Sequence, residues 1–252
     1  MKVIDTHTHL PGRLFGGEPM SASDLRATFE TEGLSGAWLM TVDGLLLDAE
    51  RNNDILAEAV RPHRDFFVPF CSVNPHRGID AAVRELQRCR RDLDMRGLKL
   101  HPWLQSFSHS HPALIPILKA AGELSMPVLF HDGSPPYSSP LQIAAAAEKV
   151  PETTVILGHA GLEDLYEDAI LACLRHPNIH LCLCSLSTGP IKTAIARCPA
   201  DRLLFGTDGG CLPDLIAPAL TKFRCTGASE EVARRILYEN PMKLLPFVPR
   251  GT

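Results

Sequence analysis

Six residues in this chain combine the types and positions that metal chemistry needs. His7 and His9 lie two apart in Ile4-Asp5-Thr6-His7-Thr8-His9-Leu10. Residues two apart on an extended strand point to the same side, so this pair can grip one cation. Lys99 and His101 end the stretch Gly97–His101, His131 follows Val128–Phe130, His159 follows Val155–Gly158, and Asp208 follows Leu203–Thr207. Asp208 adds a hard carboxylate and His131 another nitrogen, a mixed N/O set suited to Zn²⁺ or a similar divalent ion. Such an ion lowers the pKa of bound water to about 7 and so supplies hydroxide at neutral pH. Asp5 has the parity of His7 one layer lower, which makes it a candidate to orient a ligand rather than to be one. A single histidine at a strand end is ordinarily a hydrogen-bonded core residue, and His101, just before Pro102, takes that reading. Four histidines, a lysine and an aspartate on one face do not. His63, His76, His109, His111, His176 and His180 read as solvated residues of loops and helix ends.

The elements that must carry these residues follow from the apolar pattern. Eight short runs recur: Val3–His7, Ala37–Val42, Phe67–Val73, Gly97–His101, Val128–His131, Val155–His159, Ile179–Ser185 and Leu203–Thr207. Continuous apolar runs of this length mark strands buried on both faces. Amphipathic stretches separate them: Ser21–Glu32, Ile79–Leu93, Ala113–Leu124, Leu141–Val150, Leu162–His176, Ile191–Cys198, Leu215–Phe223 and Glu230–Tyr238. Ser21 and Ser229 are cap-type starts, Gly33 is a stop, and Asn240-Pro241 breaks the pattern and is expected to cap a final short turn. The alternation predicts an α/β fold, a (β/α)₈ TIM barrel in a single domain over residues 1–252. An open doubly wound sheet is the runner-up, but no Gly-x-Gly-x-x-Gly follows any strand. In a barrel the C-terminal strand ends converge on one face, so residues some 200 positions apart would share a pocket.

Composition bounds the rest. The 252 residues are 45% hydrophobic and 21% charged, ordinary for a globular chain and unlike a disordered one. With 25 Lys plus Arg against 29 Asp plus Glu, the net charge is −4, and no basic run suggests a nucleic-acid partner. No apolar stretch approaches the roughly 18 residues of a membrane span. Eight cysteines without a repeated spacing, and no signal-peptide core before the first strand, predict reduced thiols in a cytoplasmic protein. Cys182-x-Cys184 reads as small core residues on a strand rather than as ligands.

Taken together, Ile-Asp-Thr-His-Thr-His-Leu at strand 1, His131, Gly-His159-Ala-Gly and Phe-Gly-Thr-Asp208 resemble the amidohydrolase superfamily, in its amidohydrolase-related metal-dependent hydrolase branch. The resemblance runs from residue 4 to about residue 245. It implies a (β/α)₈ barrel with one or two divalent ions, with His7, His9 and Asp208 matching ligands of the more buried ion. His131 and His159 match either ligands of a second ion or, in one-ion members, a ligand and a catalytic histidine. Gly-Leu-Lys99-Leu-His-Pro is similar to a motif in which the lysine is carboxylated and bridges two ions, a bridge that other members lack. Both states of Lys99 stay open. The implied chemistry makes Asp208 the general base and then acid, and His159 the group that steadies the oxyanion or assists the proton. The expected function is metal-dependent hydrolysis of an amide, ester or lactone in a small molecule. The alternative is nonoxidative decarboxylation on the same site. Arg13 in the loop 11–20, Trp103, Gln105 and Phe107 in the loop 103–111, and Tyr137 in the loop 132–140 suggest a small, anionic substrate.

Overall fold

The computed structural model describes residues 1–12, 20–210 and 215–248; Arg13 lies outside them. Eight parallel strands follow one another in chain order: β1 Ile4–Leu10, β2 Gly36–Thr41, β3 Phe67–Ser72, β4 Gly97–Leu100, β5 Val128–Phe130, β6 Val155–Leu157, β7 Ile179–Cys182 and β8 Leu203–Leu204. The seam between β1 and the chain after β8 is closed by backbone bonds. Thr6 N–H donates to Phe205 O at 2.9 Å, Asp208 N–H to His7 O at 2.9 Å, and His9 N–H to Gly209 O at 2.8 Å. This is the predicted TIM barrel; an open sheet would leave that edge unpaired.

The helices are α1 Ala22–Thr31, α2 Asp43–Leu46, α3 Ala49–Val60, α4 Ile79–Arg91, α5 Leu114–Glu123, α6 Pro140–Ala147, α7 Leu162–Arg175, α8 Thr188–Arg197, α9 Ile216–Arg224, α10 Glu230–Arg234 and α11 Asn240–Leu244. Ser21 and Ser229 cap α1 and α10 as expected. The apolar pattern misses α3, because a buried Asn53 interrupts its stripe of Ala49, Leu56, Ala57 and Val60. That amide is fully used: it donates to Ser72 O and Glu85 Oε1 and accepts the Ser72 N–H. Asn240-Pro241 opens a short final helix as expected, but the helical path is not interrupted there. A π-helical turn over Arg235–Glu239 leads directly into α11. Asn240 is held by donating to Ala200 O and Leu203 O.

The core has two layers. Residues of one strand parity pack outward against the helices, while Trp38, Met40, Val68, Phe70, Leu129, Ile156, Cys182 and Leu204 fill the barrel. Trp38 and Phe70 stack with centroids 5.1 Å apart, and Phe70 occupies the room that Gly97 leaves. Leu245 and the partly buried Leu244 and Phe247 close the barrel from below. The inner parity, continued upward, becomes polar: Asp5-His7-His9, Lys99-His101, Leu129-His131 and Leu204-Gly206-Asp208.

His180 departs from the expectation of a solvated residue. It lies within β7, on the parity of Cys182, opposite Ile156 in the β6 register. Its buried Nδ1 has no partner. Burial, followed by the charges of Arg202 and Lys243, lowers its pKa from 6.5 to about 4, against the opposing effects of Asp201 and a hydrogen bond involving the Asn178 backbone. The native state therefore favours neutral imidazole, and the unfolded chain binds more protons between pH 6.5 and 4. This contribution is complete above pH 6.5 and is lost as pH falls toward 4, a loss on the order of 3 kcal/mol. His180→Gln should flatten the stability profile across that window, read as urea midpoints at successive pH values. An unchanged slope would refute the assignment.

Candidate active site

Two buried carboxylates set the backbone of the site. Asp5 accepts the N–H of His7 at 3.0 Å, the N–H of Thr207 at 3.1 Å and the Thr207 hydroxyl at 2.5 Å, which ties the end of β1 to the chain after β8. It thus holds main chain and a threonine rather than an imidazole. Burial raises its pKa to about 7 against those hydrogen bonds. Asp132 does the same between β5 and β6, accepting the N–H of His159 at 2.7 Å and of Gly161 at 2.6 Å. Removing either carboxylate strands several buried donors. Asp5→Ala and Asp132→Ala should each lower the unfolding free energy by roughly 2–4 kcal/mol in denaturant titrations. A change below about 0.5 kcal/mol, the usual size at an uninvolved site, would show that the clasp is unnecessary.

On this frame, His7 sits between two glycines. A Cβ at Gly158 would meet His7 Cε1 at 3.0 Å, and one at Gly206 would meet His7 Cβ at 2.9 Å. Its Nδ1 donates to the Gly158 carbonyl at 2.9 Å, which fixes the tautomer and leaves Nε2 as a free lone pair. That Nε2 is 2.8 Å from Lys99 Nζ and 3.7 Å from Asp208 Oδ1. His9 Nε2 lies 3.0 Å from the same Oδ1, and His9 Nδ1 is buried without a partner. Asp208 has φ 63°, a left-handed conformation that Asp and Asn tolerate better than most residues. The ligand atoms of His7, His9 and Asp208 all fall within 4.8 Å of one another. An oriented imidazole lone pair, a second imidazole and a carboxylate at this spacing fit a divalent ion.

The upper rim adds more imidazoles. His131 faces His159 at 4.5 Å between centroids and its Nε2 contacts Ser134 Oγ at 2.9 Å. His101 stacks on His131 at 3.8 Å with planes 10° apart. The structure therefore brings His101 to the site, where the single-residue reading left it in the core; its shared parity with Lys99 was the available signal. His7, His9, Lys99, His101, His131, His159 and Asp208 line one cavity of about 400 Å³, together with Val42, Trp103 and Leu104. Trp103, 52% exposed, stands at its mouth. Gln105 and Phe107 do not join it. Gln105 bridges Val73 O and His101 N–H, and Phe107 is core.

Burial dominates the electrostatics. It lowers His131 to about 2 and His159 to about 4, and takes His7 and His101 well below 6.5, with neighbouring positive charges adding to the effect. Neutral imidazoles are the form that binds metal. Burial likewise lowers Lys99 to about 8. For Asp208, burial acts upward, but the His9 hydrogen bond and the charges of His7, His9 and His159 outweigh it and hold the carboxyl well below 3.8. Sequence reasoning also passed over Cys184. Its sulfur, with the ligand atoms of His7 and His159, forms a second group within 4.8 Å. The seven cysteines among the described residues are free thiols. None of the described helices is long and apolar enough to cross a membrane.

The amidohydrolase family model matches residues 4–247, and the chain belongs to that family, within the amidohydrolase superfamily of TIM-barrel metal-dependent enzymes. No curated protein sequence matches the chain. Solved structures share the fold. An uncharacterized TIM-barrel protein from Bordetella bronchiseptica superposes with TM-score 0.78 at 19% identity, covering 97% of this chain and 98% of that one. A dihydroxybenzoic acid decarboxylase from Polaromonas, with bound manganese and the inhibitor 2-nitroresorcinol, gives TM-score 0.77 at 18% identity and 96% of each chain. A probable 2-pyrone-4,6-dicarboxylic acid hydrolase from Acinetobacter baumannii gives TM-score 0.71 at 14% identity, covering 98% of this chain and 100% of that one. Decarboxylases of 2,6-dihydroxybenzoate and 5-carboxyvanillate are similar to a comparable degree.

Proposed function

We propose that the protein is a metal-dependent nonoxidative decarboxylase of a small, hydroxylated aromatic acid. The observation that carries this reading is the lining of the cavity. Five histidines and Lys99 surround a single carboxylate, Asp208, beneath an apolar wall of Val42, Trp103 and Leu104. Donors and cations below with a flat apolar wall above suit a planar anion. The similar decarboxylases, one of them with manganese and a nitroresorcinol, support the same choice over hydrolysis. Hydrolysis of a lactone or amide, the first expectation from sequence, is the second reading. It draws on the same floor and on the similar hydrolase.

His7, His9 and Asp208 would hold the ion, with His131 beside them. When bound, a divalent ion supplies a Lewis-acid anchor for a carboxylate and a neighbouring oxygen. The chain's own residues do the rest. Trp103 and Leu104 pack on the ring and keep water from its face. Lys99 Nζ, displaced from the His7 lone pair that the ion would take, places a donor where the carboxylate charge lies. Asp208, ionised at rest, would take up the proton of the substrate's ortho-hydroxyl and pass it to the ring carbon as the bond to the carboxylate breaks; solvent returns a proton to the phenolate, so that the acid anion plus one proton gives carbon dioxide and the ring with hydrogen in its place. His159 donates toward the oxygen on which charge develops.

The test uses manganese-loaded enzyme and a panel of ortho-hydroxylated benzoates carrying ¹³C in the carboxyl group, run in deuterated water. Labelled carbon dioxide and one ring deuterium per turnover are expected. Turnover of lactones or amides, with no carbon dioxide from any acid in the panel, would replace this reading with the hydrolytic one.

A further inference from the structure

Beside the N/O set, the floor of the cavity carries a softer one. Cys184 stands on the parity of Cys182 just past the end of β7, fully buried, and its Sγ lies within 4.8 Å of ligand atoms of both His7 and His159. A tetrahedral ion with bonds of about 2.0–2.3 Å spaces its ligand atoms about 3.3–3.6 Å apart, so side-chain rotations of about 1 Å would close the set. His7 belongs to both groups. Its Nδ1 is engaged by the Gly158 carbonyl, so Nε2 is the nitrogen it has left to offer an ion in either set. Thiolate favours zinc, whereas carboxylate with imidazole also suits harder ions such as manganese.

We propose that Cys184 is a metal ligand, and that it makes the site bind Zn²⁺ through His7, His159 and sulfur while Mn²⁺ takes His7, His9 and Asp208. The identity of the ion thus decides whether Asp208 is a ligand or is left free. Ligation replaces the S–H bond by an S–Zn bond and releases one proton. The Ser185 hydroxyl lies 3.4 Å from Cys184 Sγ and 3.3 Å from His159 Nδ1, on an exposed residue, and it offers that proton a way to solvent. The inference rests on the reading that this cavity holds a divalent ion and is independent of the reaction catalysed there.

Zinc K-edge X-ray absorption on the zinc-loaded full chain tests it. The expected result is one sulfur at about 2.3 Å beside nitrogen and oxygen at about 2.0–2.2 Å. That sulfur shell should vanish in Cys184→Ser and Cys184→Ala and persist in Cys182→Ser. Circular dichroism on each variant separates loss of the ligand from loss of the fold. In zinc–manganese competition, both Cys184 variants should shift preference toward manganese. Zinc bound by nitrogen and oxygen alone, or a sulfur shell that survives in both Cys184 variants, overturns the thiolate ligand and leaves the metal site standing. A protein that binds no zinc overturns the thiolate ligand, and one that binds neither zinc nor manganese overturns the metal site as well.

Discussion

Asp208→Asn will lower turnover about 10³-fold while leaving the fold intact. Asparagine keeps the shape and adopts the left-handed conformation that Asp208 shows at φ 63°, so the backbone between Thr207 and Gly209 has no reason to move. What is lost is the negative charge facing His7 and His9, and with it the base that takes up a proton and passes it on. Acid–base groups contribute typically about 10²–10⁴-fold. Manganese affinity should fall as well, because one of three ligands becomes a neutral amide. Steady-state kinetics, elemental analysis and thermal unfolding on the same preparation check the three parts. A variant with more than a tenth of wild-type turnover at full metal loading would remove Asp208 from the chemistry.

Lys99→Met will abolish most turnover without lowering metal content. Methionine matches the length and apolar stem of Lys99, so the fully buried position should still pack. In the structure Lys99 Nζ reaches the His7 Nε2 lone pair at 2.8 Å, the same lone pair that an ion would take. On this geometry we infer that the amine competes with the metal and donates to the substrate rather than serving as a ligand. We propose the plain amine, one ion per chain and no dependence on bicarbonate, in preference to a bridging carbamate. Loss of one preorganised donor costs about 10²–10³-fold in rate. The readouts are ions per chain and activity of metal-free protein reconstituted with and without bicarbonate. Two ions in wild-type protein, one in Lys99→Met and a requirement for bicarbonate would establish the carbamate instead.

The sequence alone was enough for the barrel and for most of its chemical face. Eight apolar runs of four to seven residues, four of them ending in His and a fifth followed by Asp208, have one economical arrangement, because a parallel barrel gathers strand C-termini. The two-residue period of a strand placed His7 and His9 together and Asp5 beneath them. Where local periodicity was interrupted, reading failed. Asn53 hid helix α3, since a buried polar side chain satisfied by strand and helix partners cannot be told from a solvated one without those partners. His180 was misjudged for the same reason: its surroundings come from residues 201, 202 and 243. His159 follows Gly158, where the chain leaves the strand and the parity rule stops, so its direction is decided by the Asp132 clasp across the β5–β6 pair. The left-handed turn at Asp208 is a torsion past the last strand residue, and the stack of His101 on His131 and the approach of Cys184 to His7 join segments about 30 and about 180 residues apart. Each depends on strand register and on torsions past the last ladder bond. Those quantities are settled by the closing of the barrel as a whole, and no local run of residues encodes them.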